Sequence, residues 1–186
     1  MFTMCLGKNG GYIQIGGHDA TGRLVDDITW IPLHVGEDFK TNMVGMKINN
    51  HFIKDSEKFK LGFIDSGTTF TYFPKQLFSM IRLHFNVFCN SDPENNCAGV
   101  RNDNGSAGLL CFAYDEKAYP EGPKKYFMTY PILRFLVDTG LSSEPYELDW
   151  YPSEYLYREN TSQYCLAADV HSQQEIMIGG TLMRQH

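Results

Sequence analysis

Asp65 is the residue of this chain best placed to do chemistry. It stands in Phe63-Ile64-Asp65-Ser66-Gly67-Thr68-Thr69, where two apolar residues precede the acid and hydroxyl side chains at 66, 68 and 69 follow it. The apolar pair reads as the end of a buried strand. Gly67 permits a sharp turn where backbone must approach closely. A carboxylate surrounded by hydroxyl donors is held in place and keeps its charge through hydrogen bonds. That suits an acid which must take and return a proton. An isolated Asp-Ser-Gly is also explained by a turn acid capping its own loop.

Other chemistry-bearing residues are less ordered. A second triplet occurs in Asp138-Thr139-Gly140-Leu141-Ser142-Ser143. It lies between two strand-like runs, so it reads as a Gly-containing hairpin turn. His18, His34, His51, His84, His171 and His186 are scattered without metal-ligand spacing and read as surface residues. Cys5, Cys89, Cys97, Cys111 and Cys165 form no zinc pattern. Two disulfides and one leftover thiol is the preferred count. Neither a metal nor another cofactor is expected.

The elements that must position Asp65 are mostly strands. Gly11–Ile15, Ile28–Leu33, Met43–Ile48, His51–Ile53 and Lys58–Asp65 read as extended runs, with Asn49-Asn50 as a tight hairpin turn. Pro32 suggests an edge for its run. Later runs are Leu109–Tyr114, Ile132–Val137, Tyr146–Trp150, Gln163–Ala167 and Glu175–Ile178. One helix is clear. Pro74 suits its first position, and Leu77, Phe78, Ile81, Phe85 and Phe88 make one apolar stripe at spacings of three and four, expected to pack in the core. Trp30 and Trp150 are also expected in the core. Residues 90–107 are polar and read as a surface loop. No linker divides the chain, so the reading is one mainly β domain.

Composition limits the function classes. Aromatic residues make up 14% of 186, which favours strands. The formal net charge is -6 without a dense Lys/Arg block, so nucleic acid is not an expected partner. There is no run of 18 apolar residues to span a membrane. Met1–Cys5 lacks a basic region followed by an apolar stretch and does not read as a secretory signal. Two glycosylation sequons, at Asn104 and Asn160, together with the cysteines favour an oxidising secretory compartment. Reduced buried thiols in a cytosolic protein are the alternative.

The segment around Asp65 resembles the active-site loop of pepsin-like aspartic proteases, apolar-apolar-Asp-Ser/Thr-Gly-Thr/Ser. Further segments are similar to that family in the same order. Gly16-Gly17-His18-Asp19 and then Ile28-Thr29-Trp30-Ile31-Pro32-Leu33 look like its Gly-Gly-x-Asp and Trp-x-Pro-Leu segments. Phe70-Thr71-Tyr72-Phe73-Pro74 leads into a helix. Pro152-Ser153-Glu154-Tyr155-Leu156 looks like its Pro-x-x-Tyr segment, and Ile176-Met177-Ile178-Gly179-Gly180 with Met183-Arg184 looks like the apolar-Gly segment beside the active-site loop. The likeness spans nearly the whole chain and matches the second lobe only.

The resemblance implies a mainly β fold with one or two short helices: the C-terminal lobe of a bilobal acid protease. Residues 1–186 would be that lobe, without the N-terminal lobe and the final C-terminal strands. It also implies peptide-bond hydrolysis by water held between two aspartates, one per lobe, that share a proton. Asp65 would be one of them. Ser66 would brace the loop against the other lobe's loop, and Thr68 would hydrogen-bond the carboxylate or the bound peptide. Cys111 and Cys165 resemble a pair joined in this lobe, and Cys89 and Cys97 would pair locally, although four cysteines allow three pairings. Cys5 is left over, buried or paired elsewhere. The extra cysteines resemble plant-type and plasmepsin V-like subgroups. The implied partners are a peptide or protein substrate and a second lobe, from the same full-length chain or a second copy. The implied location is the secretory pathway, a lysosome or vacuole, or outside the cell. An inactive peptide-binding module is the alternative function.

Overall fold

The structure is a computed structural model that describes residues 2–7, 10–17, 28–34, 36, 38–102 and 109–184. His18, Asp19, Asn104 and His186 lie outside the described residues. The first half contains β1 (Phe2–Gly7), β2 (Gly10–Ile15), β3 (Lys40–Ile48), β4 (His51–Phe52), β5 (Leu61–Ile64), β6 (Thr71–Pro74) and α1 (Lys75–Ser91). Then follow β7 (Arg101–Asn102), β8 (Cys111–Ala113), α2 (Lys124–Phe127), β9 (Leu133–Val137) and β10 (Tyr146–Trp150). The chain continues with α3 (Pro152–Tyr155), β11 (Leu156–Asn160), β12 (Gln163–Leu166), β13 (Ala168–His171), β14 (Ile176–Ile178) and α4 (Gly180–Met183). The fold is mainly β, as the sequence leads one to expect. Among the described residues α1 has 17 residues, the other three α-helices are single turns of 4 residues, and Ser56–Lys58 form a 3-10 turn.

The central sheet runs β10-β9-β3-β5-β14-β6-β13, with β4 paired to β3. Most neighbours are antiparallel, but β5 and β14 run parallel, as do β6 and β13. Consecutive strands β5 and β6 therefore lie on opposite sides of β14. Residues 65–70 must cross its end to join them. A separate sheet runs β11-β12-β8-β7, and β1 pairs with β2 alone.

The helical stripe of α1 meets the core as its spacing requires. Leu77, Phe78, Ile81 and Phe85 are buried, and Phe88 is half-buried. Pro74 ends β6 and precedes the helix, one position earlier than expected. Its extended backbone explains this: the last pair of the β6–β13 ladder is His171 with Pro74. Phe73 stacks on Phe135 at 6.1 Å, and Tyr155 meets Trp150 at 5.6 Å and Phe85 at 5.9 Å edge-on. Trp150 is fully buried, as expected. Trp30 is not: it is 61% exposed. Residues 28–33 are assigned to no strand among the described residues, so no ladder carries Trp30 into the core. The polar stretch after α1 includes one short strand, β7, which extends the separate sheet.

Both expected disulfides are present. Cys111 and Cys165 are joined between directly opposed positions of β8 and β12. Cys89 on α1 is joined to Cys97. The first closes a loop 54 residues long, worth about 4 kcal/mol in the chain-entropy account. Cys5 is exposed and unpaired.

One buried acid ties stability to pH. Glu154 opens the short helix α3, where its Oε2 accepts the Tyr151 N–H at 2.9 Å. It is only 5% exposed, and Oε1 has no hydrogen-bond partner among the described residues. Burial raises its pKa to about 7, with nearby Asp149 adding to the effect. The folded protein thus holds a proton that the unfolded chain releases. That stabilisation is full below about pH 4.5 and is lost as pH rises through about 7, up to about 2–3 kcal/mol. Denaturant titrations should show the loss between pH 5 and 7.5. Glu154→Gln, which keeps the acceptor and cannot ionise, should flatten it; an unchanged slope in that variant would move the effect to another group.

Candidate active site

β5 delivers Asp65 to the crossing. The parallel pairing of Ile64 with Ile178 continues through the Asp65 N–H, which donates to the Ile178 carbonyl at 2.9 Å. The backbone then turns. The Gly67 N–H donates to Asp65 Oδ1 at 2.9 Å, and the Thr68 hydroxyl donates to Oδ2. Both carboxylate oxygens are therefore engaged by the loop that follows. A Cβ at Gly67 would stand 3.2 Å from Oδ1, so glycine keeps the N–H close to the acid. Asp65 and Thr68 are half-buried, and Ser66, Gly67 and Thr69 are exposed.

The crossing is fastened to the segment after β14. Gly180 N–H donates to the Thr68 carbonyl at 2.7 Å, and Thr181 N–H to the Thr69 carbonyl at 3.0 Å. Thr68 Oγ1 also lies 3.6 Å from Met177 Sδ. Gly179 passes so close that an added Cβ would be 2.1 Å from the Phe70 carbonyl oxygen. The apolar-Gly segment singled out in the sequence is thus in direct contact with the loop carrying Asp65. No spacing in the chain signals that contact, since more than 100 residues separate the two segments.

The rival triplet has the same local turn and a different setting. Gly140 N–H donates to Asp138 Oδ1 at 2.8 Å, a near copy of the Gly67–Asp65 bond. The segment links antiparallel β9 and β10, as the turn reading expects. Among the described residues no hydroxyl like that of Thr68 reaches the Asp138 carboxylate; its backbone N–H donates to the Asn42 carbonyl of β3 at 3.0 Å. Two other sequence candidates are placed as follows. His34 Nε2 pairs with Asn42 Oδ1 at 2.8 Å, a partner unrelated to Asp65. Asn160 sits exposed at the β11–β12 turn, its Oδ1 accepting from the Ser162 N–H and hydroxyl at 2.9 Å each. Among the described residues no cluster of His, Cys, Asp and Glu is arranged to hold a metal ion.

Sequence reasoning placed Met177 beside the loop by resemblance but did not find Lys40 and Glu175, which meet by Phe63, two residues before the acid. Lys40 on β3 is cross-strand to Phe63, and Met177 flanks Phe63 on the other side. No helix of the described residues is long and apolar enough to cross a membrane.

No curated protein matches the chain. A family model does: that of the eukaryotic aspartyl proteases matches residues 1–186, the whole chain. The crossing loop, the parallel strand pair and the doubly held aspartate agree with a protease of the pepsin type, and the chain belongs to the eukaryotic aspartyl protease family.

Proposed function

We propose that residues 1–186 form the C-terminal lobe of an acid endopeptidase, and that Asp65 is one of its two catalytic aspartates. One observation carries this reading. Asp65 is held at both oxygens on a loop which is itself pinned across the end of β14. Such a carboxylate has a fixed direction and needs no reorganisation when charge develops beside it. A turn acid at the periphery has neither property.

Asp65 hydrogen-bonds no other carboxylate among the described residues, so its sister comes from a second lobe. The full-length chain supplies it, or a second copy of this lobe does so by two-fold symmetry. Two adjacent carboxylates titrate as a pair, one low and one high. The ionised member takes a proton from water as that water attacks the peptide carbonyl, and the protonated member polarises the carbonyl. Thr68 orients Asp65, and Ser66 braces the loop against its counterpart. The two disulfides and the exposed Asn160 sequon favour an oxidising compartment of the secretory route, a lysosome or vacuole, or the exterior.

The test is peptide cleavage by the two-lobed protein, with and without a statine-type inhibitor. The expected result is hydrolysis near about pH 4 that falls as the pair loses its shared proton, and that the inhibitor stops. Inhibitor binding without any cleavage would make this a peptide-binding module. Neither binding nor cleavage would overturn the reading altogether.

A further inference from the structure

A cavity of about 350 Å³ opens beside β5 and β14, the two strands that lead to the Asp65 loop. Its floor is Phe63 of β5 and Met177 of β14. Phe63 and Asp65 are two residues apart on one extended segment, so their side chains leave the same face about 6–7 Å from each other. Met177 reaches the same place from its own strand, touching the hydroxyl that holds Asp65. The cavity therefore stands one side chain away from the carboxylate.

Its walls are polar and carry an unequal charge. Lys40 Nζ bridges Glu175 Oε1 at 3.0 Å and Asp38 Oδ2 at 3.3 Å. Gln173 and Gln174 complete the lining. Among the described residues two carboxylates face one ammonium group, leaving one negative charge beside an apolar floor. Lys40 is already engaged by both acids, which disfavours its use as an anion site. A long side chain with an apolar stem and a cationic tip matches both parts, since Lys and Arg lay their methylenes on apolar surface and keep the charged end among polar groups.

We infer that this cavity receives a substrate side chain next to the scissile bond and prefers Lys or Arg there, with Glu175 and Asp38 as the specificity-determining residues. The inference rests on Asp65 being catalytic. The test is a peptide library varied one position at a time, cleaved by the two-lobed protein. Parent enzyme should show a basic preference at one position beside the cut. Glu175→Gln should lower the ratio of kcat/KM for Lys over Leu at that position roughly tenfold, the scale of one charged hydrogen bond. Glu175→Lys should reverse the preference towards Asp and Glu, provided melting shows both variants folded. A parent without basic preference at any adjacent position would overturn the inference, as would a ratio unmoved in both variants. Asp65→Ala separates the two levels: cleavage that survives it sinks the catalytic reading, whereas cleavage that it abolishes, with the ratio unmoved by Glu175, sinks only the assignment of the cavity.

Discussion

Asp65→Asn is expected to abolish peptide hydrolysis, by about 10⁴-fold or more in kcat/KM, and to leave the fold in place. Asn has the shape of Asp. Its carbonyl oxygen can accept the Gly67 N–H, and its amide can face the Thr68 hydroxyl, which then accepts instead of donating. The loop thus keeps its internal contacts. What disappears is the charge, and with it the proton shared with the sister carboxylate. A neutral amide can neither take a proton from water nor give one to the leaving amine. Thermal melting measured beside kcat/KM separates the two effects: Tm within about 2 °C of the parent would go with near-complete loss of turnover. Activity within a hundredfold of the parent would remove Asp65 from the mechanism.

The second large effect falls on Gly179. Its backbone angles, φ -100° and ψ -178°, suit any residue, so the requirement is one of space. An added Cβ would meet the Phe70 carbonyl oxygen at 2.1 Å and the Thr68 carbonyl oxygen at 2.7 Å. Both atoms belong to the crossing backbone, which has little room to retreat. The Thr68 carbonyl is already bonded to Gly180 and the Thr69 carbonyl to Thr181. Gly179→Ala should therefore cost about 3 kcal/mol or more and lower Tm by about 10 °C. Because the displaced loop carries Asp65, turnover should fall in the fraction that still folds. Gly180 is the control. A Cβ there would lie 3.5 Å from the Thr68 oxygen, ordinary contact, and Gly180→Ala should change stability by less than about 1 kcal/mol. Equal tolerance of alanine at both positions would mean that the crossing is looser than these distances imply.

The paired effects show how different the two kinds of information are. The apolar stripe of α1 was legible because its period is a local property: residues three and four apart share one helix face whatever surrounds them. The Asn49–Asn50 turn was legible for the same reason, and Asn49 adopts the left-handed conformation (φ 48°) that such turns favour. The strand expected at Ile28–Leu33 did not form because an extended run becomes a strand only when a neighbour offers a ladder, and none does among the described residues. In the other direction β6, β11 and β13 were not read as strands. Their residues lack clean alternation, and β6 and β13 find their partners far along the chain, whereas β11 pairs with the adjacent β12. β13 is parallel to β6, nearly 100 residues earlier.

By itself the sequence determined the local chemistry of the site: an acid after two apolar residues, a glycine to bring an amide to its oxygen, and a threonine hydroxyl to hold the other oxygen. It determined the same chemistry at Asp138, where the Asp-Thr-Gly turn forms an almost identical bond to its own backbone. The flanking strand-like runs marked Asp138 as a hairpin turn, but only the tertiary structure gave Asp65 its distinct setting, by laying β14 between β5 and β6 and fastening the Asp65 loop to Gly180 and Thr181. It also decided that Lys40 and Glu175, 135 residues apart, would meet at the cavity lined by Phe63 and Met177. The physical reason is that a turn depends on the dihedrals and side chains of a few consecutive residues, whereas a parallel strand inserted between two others depends on which distant backbone groups satisfy one another.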